Sequence, residues 1–361
     1  RTRADQSRQS SFKKRRKKEK RNLRKNPLSR RKIRVMYYSM VVRLMICLPL
    51  VCLAMVANAE YSELKSADGK KSMRAQPVAV VGGNIKFAKQ GGKTFIAAPE
   101  VFSPVDRKNL EAWMQAMSND PSQQLVQRVA RARTLRILFI GNSYSFQIPK
   151  VLEKLAKSEG KNIEVQQVTK GGWTLGKHAA AAGTLAKIKE GKWDVIVLQE
   201  QSQLPAFPED QRSQLMYPAV KTLATAARDA GAQPVLFLTW GRKSGDTQNA
   251  AQFPNDTYAA MQQRLTKGYE NAAKHAGEIA IIPVGEVWSE AGKQGKGENL
   301  YTKDGSHPAK SGNYLGACVF YSCLYGELVE KADRKVPESG SIVKLAGAAR
   351  FQPLSYPVDV N

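Results

Sequence analysis

The sequence predicts an α/β fold, with a parallel sheet covered on both faces by helices. Two observations carry this. From Leu135 onward, short apolar runs alternate with longer amphipathic stretches, the order expected of β-α units. The runs are also continuously apolar rather than alternating, as strands buried on both faces are. A third observation locates the chemistry. In such sheets ligands bind beyond the carboxyl ends of the strands, so the residues just after each run are the ones to inspect.

The predicted strands are Leu135–Ile140, Ile163–Val168, Val195–Leu198, Pro234–Thr239 and Ile279–Val284. Helical spacing falls near 149–159, 177–190, 211–230 and 256–276, with a last helix over 309–325. Ahead of this pattern, 60–76 is polar and basic and reads as a mobile mature N-terminus. Within 77–134, short strands fit Pro77–Gly83 and Thr94–Ala98. Asp106–Met117 has helical spacing, with Leu110, Trp113, Met114 and Met117 on one face. The segment 60–133 is thus expected to be a lead-in packed on a main domain at 134–326, and 327–361 a surface wrap rich in proline.

The chain has 361 residues and a formal net charge of +26, very unevenly spread. Residues 1–34 hold 17 Lys/Arg against Asp5 and Glu19, a net of +15, which leaves +11 for the rest. Such a block can be a nucleic-acid arm. The residues just after it favour another reading. Arg43 precedes the apolar run Leu44–Ala57, and Ala57-Asn58-Ala59 comes next, giving the n-region, h-region and small-residue cleavage site of a secretory signal. Residues 36–59 are therefore expected to be a signal peptide, 1–35 a basic segment outside the mature protein, and the product periplasmic or secreted. An uncleaved anchor is the alternative, although the run is short for a membrane span. Cys47 and Cys52 would leave with the signal. Cys318 and Cys323 lie on a predicted helix and read as packed thiols. With three histidines and no Cys/His ligand spacing, neither metal nor cofactor is implied.

After the first strand comes Gly141-Asn142-Ser143. A glycine turn presents the serine, whose hydroxyl could attack and whose N–H could hold an oxyanion. A plain helix-capping serine fits the same residues. After the second strand, Gly171-Gly172-Trp173-Thr174 offers a further backbone donor or an ordinary turn. Gln199-Glu200-Gln201-Ser202 comes after the third strand, with side-chain amides able to donate, or as a solvated loop. Trp240-Gly241-Arg242 comes after the fourth. Its ring could stack on a sugar and its guanidinium could pair with a carboxylate, unless Trp240 is core and Arg242 surface. Glu286 and Trp288 carry the same ambiguity. Asp304-Gly-Ser-His307-Pro308 is the sharpest signal. A carboxylate three residues before His can fix its tautomer, freeing the other ring nitrogen to take a serine proton. Pro308 is expected in the first turn of the next helix. His178 and His275 read as packing or surface residues.

In this order, these residues resemble the SGNH (GDSL-like) hydrolase superfamily across about 134–326. Gly141-Asn142-Ser143 is similar to the first block, with Asn142 where many members carry Asp, and implies Ser143 as nucleophile. Gly172 sits where the family's oxyanion glycine is expected. The third block, usually Gly-x-Asn-Asp, here reads Gln199-Glu200-Gln201-Ser202. Gln201 falls at the Asn position, with Gln199 the competing donor. Asp304 and His307 match the fifth block. The resemblance implies a three-layer α/β/α sandwich with a five-stranded parallel sheet, flavodoxin-like in type. It also implies metal-independent hydrolysis of an ester through an acyl-serine, with an acetylated carbohydrate as one candidate substrate. Ser143, Gly172 and a Gln amide would form the oxyanion hole, and Trp173, Trp240 and Arg242 would bind substrate. Two other classes stand beside this: a non-catalytic glycan-binding protein on the same fold, and a membrane- or nucleic-acid-associated protein using the basic arm. For the mature form, neither a nucleic-acid partner nor a stable membrane span is expected.

Overall fold

The computed structural model describes residues 62–89, 93–118 and 120–349. The basic segment, the signal-like run and Pro353 and Pro357 lie outside the described residues. The first half of the lead-in is a four-stranded antiparallel meander of β1 (Ser62–Lys65), β2 (Ser72–Val81), β3 (Asn84–Lys89) and β4 (Thr94–Ala97). Two helices come next, α1 (Pro104–Met117) and α2 (Pro121–Arg131). This corrects the expectation of a mobile segment at 60–76. Ser72, Met73 and Arg74 are exposed, so they give no apolar signal, and pairing of β2 with both β1 and β3 is what makes them a strand. The register shifts between Pro77 and Ala79, where proline has no N–H to give the ladder. The predicted face of α1 is as expected: Leu110 and Met117 are buried, and Trp113 and Met114 pack against the same small core with Phe87 and Phe102.

The second sheet is parallel, built from β5 (Leu135–Gly141), β6 (Ile163–Thr169), β7 (Val195–Leu198), β8 (Gln233–Phe237) and β9 (Ala280–Ile282) in the order β6-β5-β7-β8-β9. That is the 2-1-3-4-5 order of flavodoxin-like sheets, and the chain reverses its winding beside β5. Two cores fill the faces. One packs Ile137, Phe139, Val197 and Phe237 beneath α3 (Ile148–Ser158), α9 (Val284–Lys293) and α10 (Lys310–Tyr325). The other packs Leu138, Ile140, Ile196 and Leu198 beneath α7 (Tyr217–Asp229) and α8 (Tyr258–His275). The expected three-layer α/β/α sandwich with five parallel strands is the fold observed. Of the two edge strands, β9 is fully buried, whereas β6 is buried only at Ile163.

Three helical expectations are revised. The 177–190 stretch is two helices, α4 (Leu175–Ala180) and α5 (Ala182–Lys189). The 211–230 stretch breaks at Met216 into α6 (Glu209–Leu215) and α7, where Pro218 at the second helical position suits a new start. The expected C-terminal wrap contains α11 (Ser339–Ala349), whose Ile342, Val343 and Ala346 join the core against α10. The meander is tied to the α/β domain by charge. Lys86 on β3 donates to the Tyr325 carbonyl (2.9 Å) and pairs with Glu327 (3.0 Å), which also takes Lys161 (2.6 Å).

Candidate active site

Strand β5 runs into a single 3₁₀ turn, Ser143–Ser145, before α3 begins. Asn142 caps this turn: its side-chain oxygen accepts from Tyr144 N–H (3.2 Å) and its carbonyl from Ser145 N–H (2.9 Å). Gly141 is not in the left-handed region, so a sharp turn is not why glycine stands there. The reason is space. A Cβ at this position would lie 2.5 Å from the Gln199 Oε1 packed across it.

Gln199 is fully buried and holds the serine turn from the neighbouring strand end. Its Oε1 accepts from Asn142 N–H (2.9 Å) and from the Ser145 hydroxyl (3.0 Å). Its amide donates to Asn142 Oδ1 (3.1 Å) and to the Glu200 carbonyl, which commits both amide hydrogens. Gln201 keeps more freedom. Its amide donates to Gln203 Oε1 (3.2 Å), leaving one hydrogen, while its oxygen accepts from the backbone amides of Gln203 and Leu204.

Lys170–Trp173 forms a tight turn closed by Trp173 N–H to Lys170 C=O (3.1 Å), and Gly172 occupies it at φ +69°. This is a position where glycine is needed for conformation. Asn142 Nδ2 donates to the Trp173 carbonyl (3.0 Å), locking the two turns together. Buried Glu200 supports the same turn from below: its Oε1 accepts from the first amide of α4, Leu175 (2.9 Å), and from Gln201 N–H (2.6 Å). Burial pushes its carboxyl up to about 7, against the pull of those two amides. His178 is buried and structural, with Nε2 at the Gly141 carbonyl (2.8 Å) and Nδ1 at Thr184 (3.1 Å). Burial lowers its pKa.

The loop Thr302–Pro308 closes over the serine. Ser143 Oγ lies 2.9 Å from His307 Nε2, and His307 Nδ1 lies 2.5 Å from Asp304 Oδ2. The structure thus brings Ser143, His307 and Asp304 together across a sequence separation of 164 between serine and histidine. Asp304 Oδ1 also accepts from Thr302 Oγ1 (2.7 Å) and from the amides of Ser306 and His307 (2.9 Å each). Partial burial works against the charge. The hydrogen bonds, led by His307, outweigh it and hold the carboxyl well below the usual range. Pro308 does not open the helix as expected. It bridges Tyr301, and α10 starts at Lys310 with Ala309 as its cap.

Trp240 requires a correction. It is fully buried, stacked between Tyr144 (4.8 Å) and Trp288 (4.1 Å), with its indole N–H on the Ser306 carbonyl (2.9 Å). With both faces covered it cannot stack a sugar. It backs Tyr144, whose ring meets His307 edge-on at 5.4 Å, and so steadies the imidazole. Trp173 is partly exposed beside the Gly172 turn, with Lys170 Nζ 4.5 Å from its ring centre. Arg242 is also partly exposed and donates to Ser202 Oγ (3.2 Å). Glu286, on α9, bonds Thr266, and Trp288 is core. Tyr144, Ser306 and the scaffold role of Gln199 were not legible in advance; their only signal is adjacency to the singled-out residues.

No family model and no curated protein matches this chain. Solved structures do. A DUF4886 family protein from Bacteroides uniformis is 20% identical over 63% of this chain and 97% of its own, with a TM-score of 0.53. A GDSL-like lipase from Bacteroides thetaiotaomicron is 17% identical over 54% and 93%, at 0.35. An acetyl xylan esterase is 12% identical over 53% and 100%, at 0.39. The likeness is one of fold, and the first of these carries it.

Proposed function

We propose that this chain is a serine ester hydrolase of the SGNH type. One observation carries the proposal: Ser143 Oγ, His307 and Asp304 stand in a hydrogen-bonded line of 2.9 and 2.5 Å at the carboxyl edge of the parallel sheet. An ionised Asp304 can only accept, so the proton between it and His307 sits on Nδ1. Nε2 is then the acceptor for the serine O–H. Ser143 attacks the ester carbonyl as His307 takes its proton, and His307 returns that proton to the departing alcohol. Water, activated by the same imidazole, then releases the acid from the acyl-serine.

The negative oxygen needs donors that are already in place. The amides of Tyr144, Ser145 and Phe146 are used within the serine turn, and that of Ser143 is not among them. Ser143 N–H is the first donor, Gly172 N–H the second and the remaining Gln201 amide hydrogen the third. Gln199 serves instead as the strut that holds the nucleophile. An acetylated carbohydrate remains a candidate substrate, with Trp173 the aromatic at the rim. The burial of Trp240 weakens the non-catalytic glycan-binding alternative, which rests on the altered third block and on Trp173 and Trp240 as ring-stacking aromatics.

We infer export from the signal-like run at 36–59. Among the described residues, no helix is long and apolar enough to cross a membrane. The test is turnover of 4-nitrophenyl acetate by wild type, Ser143→Ala and His307→Ala. Each variant is expected to lose at least ~100-fold in kcat while keeping the wild-type melting curve. Full activity in both would refute the proposal.

A further inference from the structure

Arg242, after the fourth strand of the parallel sheet, is a cation that has no ionic partner among the described residues. Among the described residues no carboxylate lies within ion-pair distance of it, and its buried Nε has no hydrogen-bond partner. A guanidinium carries five donors in a planar fork suited to a carboxylate. Here one arm of the fork donates to a neutral oxygen, Ser202 Oγ, at 3.2 Å. Leaving a partly desolvated cation this way is costly unless something else completes it.

Its backbone is held in place, beside the loop that carries His307. Its own N–H donates to Met261 Sδ (3.3 Å), and the preceding Gly241 is held by Gln262 Oε1 on its N–H (2.8 Å) and the Tyr301 hydroxyl on its carbonyl (2.7 Å). Burial raises the pKa of the Tyr144 phenol, and the Ser306 hydroxyl, then the Arg242 charge, oppose that rise only in part. The Tyr144 hydroxyl lies 2.7 Å from Ser306 Oγ. Tyr144 comes directly after the nucleophile and Ser306 directly before the base, and the residues on either side of Gly241-Arg242 are bonded to the same loop: Trp240 Nε1 donates to the Ser306 carbonyl (2.9 Å) and Lys243 N–H to the Gly305 carbonyl (2.8 Å). The neighbouring cation Lys243 is already paired with Glu298 (2.6 Å), which leaves Arg242 as the open one of the two.

We propose that the ester taken by this site carries a carboxylate, and that Arg242 pairs with it. This rests on the esterase reading and narrows its substrate class to anionic esters. The carboxylate can belong to the acyl part or to the alcohol part, and two substrate pairs separate these. The first is 4-nitrophenyl hydrogen adipate against 4-nitrophenyl hexanoate. The second is 4-acetoxybenzoate against its methyl ester. In at least one pair the wild type should favour the charged ester by about tenfold or more in kcat/KM, the scale of a charge-assisted hydrogen bond. Arg242→Gln should bring that ratio to about one, mainly through KM, and Arg242→Lys should restore part of it. A structural role alone would lower both members of a pair together and leave the ratio intact. Turnover of the neutral esters with no preference for the charged one in either pair overturns this inference alone. So does a preference that survives in Arg242→Gln. If the wild type turns over 4-nitrophenyl acetate but none of the four esters, this inference falls alone; if it turns over none of the five, the esterase reading falls and this inference with it.

Discussion

Replacing Gln199 with leucine tests whether this side chain is a strut or an oxyanion donor. The substitution keeps the volume roughly constant but removes the acceptor shared by Asn142 N–H and the Ser145 hydroxyl, both buried. Each orphaned donor costs about 1–3 kcal/mol, so the pair costs roughly 2–6 kcal/mol. That is a large share of the ~5–15 kcal/mol that holds a domain folded. For a domain of this size each kcal/mol moves the melting temperature by about 2–4 °C, which predicts a fall on the order of 10 °C. The turn carrying Ser143 also loses its brace, and a displacement of about 1 Å at a nucleophile can cost ~100-fold in rate. Differential scanning calorimetry and 4-nitrophenyl acetate kinetics read the two effects. An unchanged melting temperature with a large loss of kcat would refute the strut assignment and return Gln199 to the oxyanion hole.

Three further outcomes are expected. Gly141→Ala places a Cβ 2.5 Å from a Gln199 side chain pinned by four hydrogen bonds, so it should destabilise by about 1–3 kcal/mol in a urea melt. Asp304→Asn should leave the fold intact but lower kcat by about 10²–10⁴, because the amide no longer fixes the His307 tautomer. Glu200 has a folded pKa of about 7 against 4.5 unfolded, so its neutral form contributes stability that is fully present below pH 4.5 and lost as pH rises through 7. Glu200→Gln should remove that slope. Its stability relative to wild type should rise by about 3 kcal/mol between about pH 4 and pH 9, read by urea denaturation at each pH.

Much of the sheet was visible in the chain because β5, β7 and β8 are buried on both faces, so nearly every position is apolar and the runs stand out. The meander at 62–97 was only half visible. Its first strand exposes three of four residues, and the start of β2 is equally open, so backbone pairing rather than side-chain patterning creates them. The helix α9 gives no separate signal in the sequence for a related reason. It begins after β9 with a single residue between them, Pro283, and there was no polar gap to separate a strand from a helix. The motif residues Ser143, Asp304 and His307 were legible because Gly-Asn-Ser and Asp-Gly-Ser-His are local patterns. The division of labour between Gln199 and Gln201 was not. Both are amides two residues apart at one strand end, and their roles depend on which neighbouring strand each meets.

The sequence by itself determined the parallel α/β layering and the local chemistry of each strand end, since burial pattern and short-range spacing are properties of neighbouring residues. Only the tertiary structure decided that Trp240 is a buttress, that Gly141 exists to admit Gln199, and that Arg242 has no counter-ion among the described residues. Each of these depends on contacts between strand ends dozens of residues apart. Side-chain type says what a group can do, while packing against distant segments leaves it only some of those possibilities.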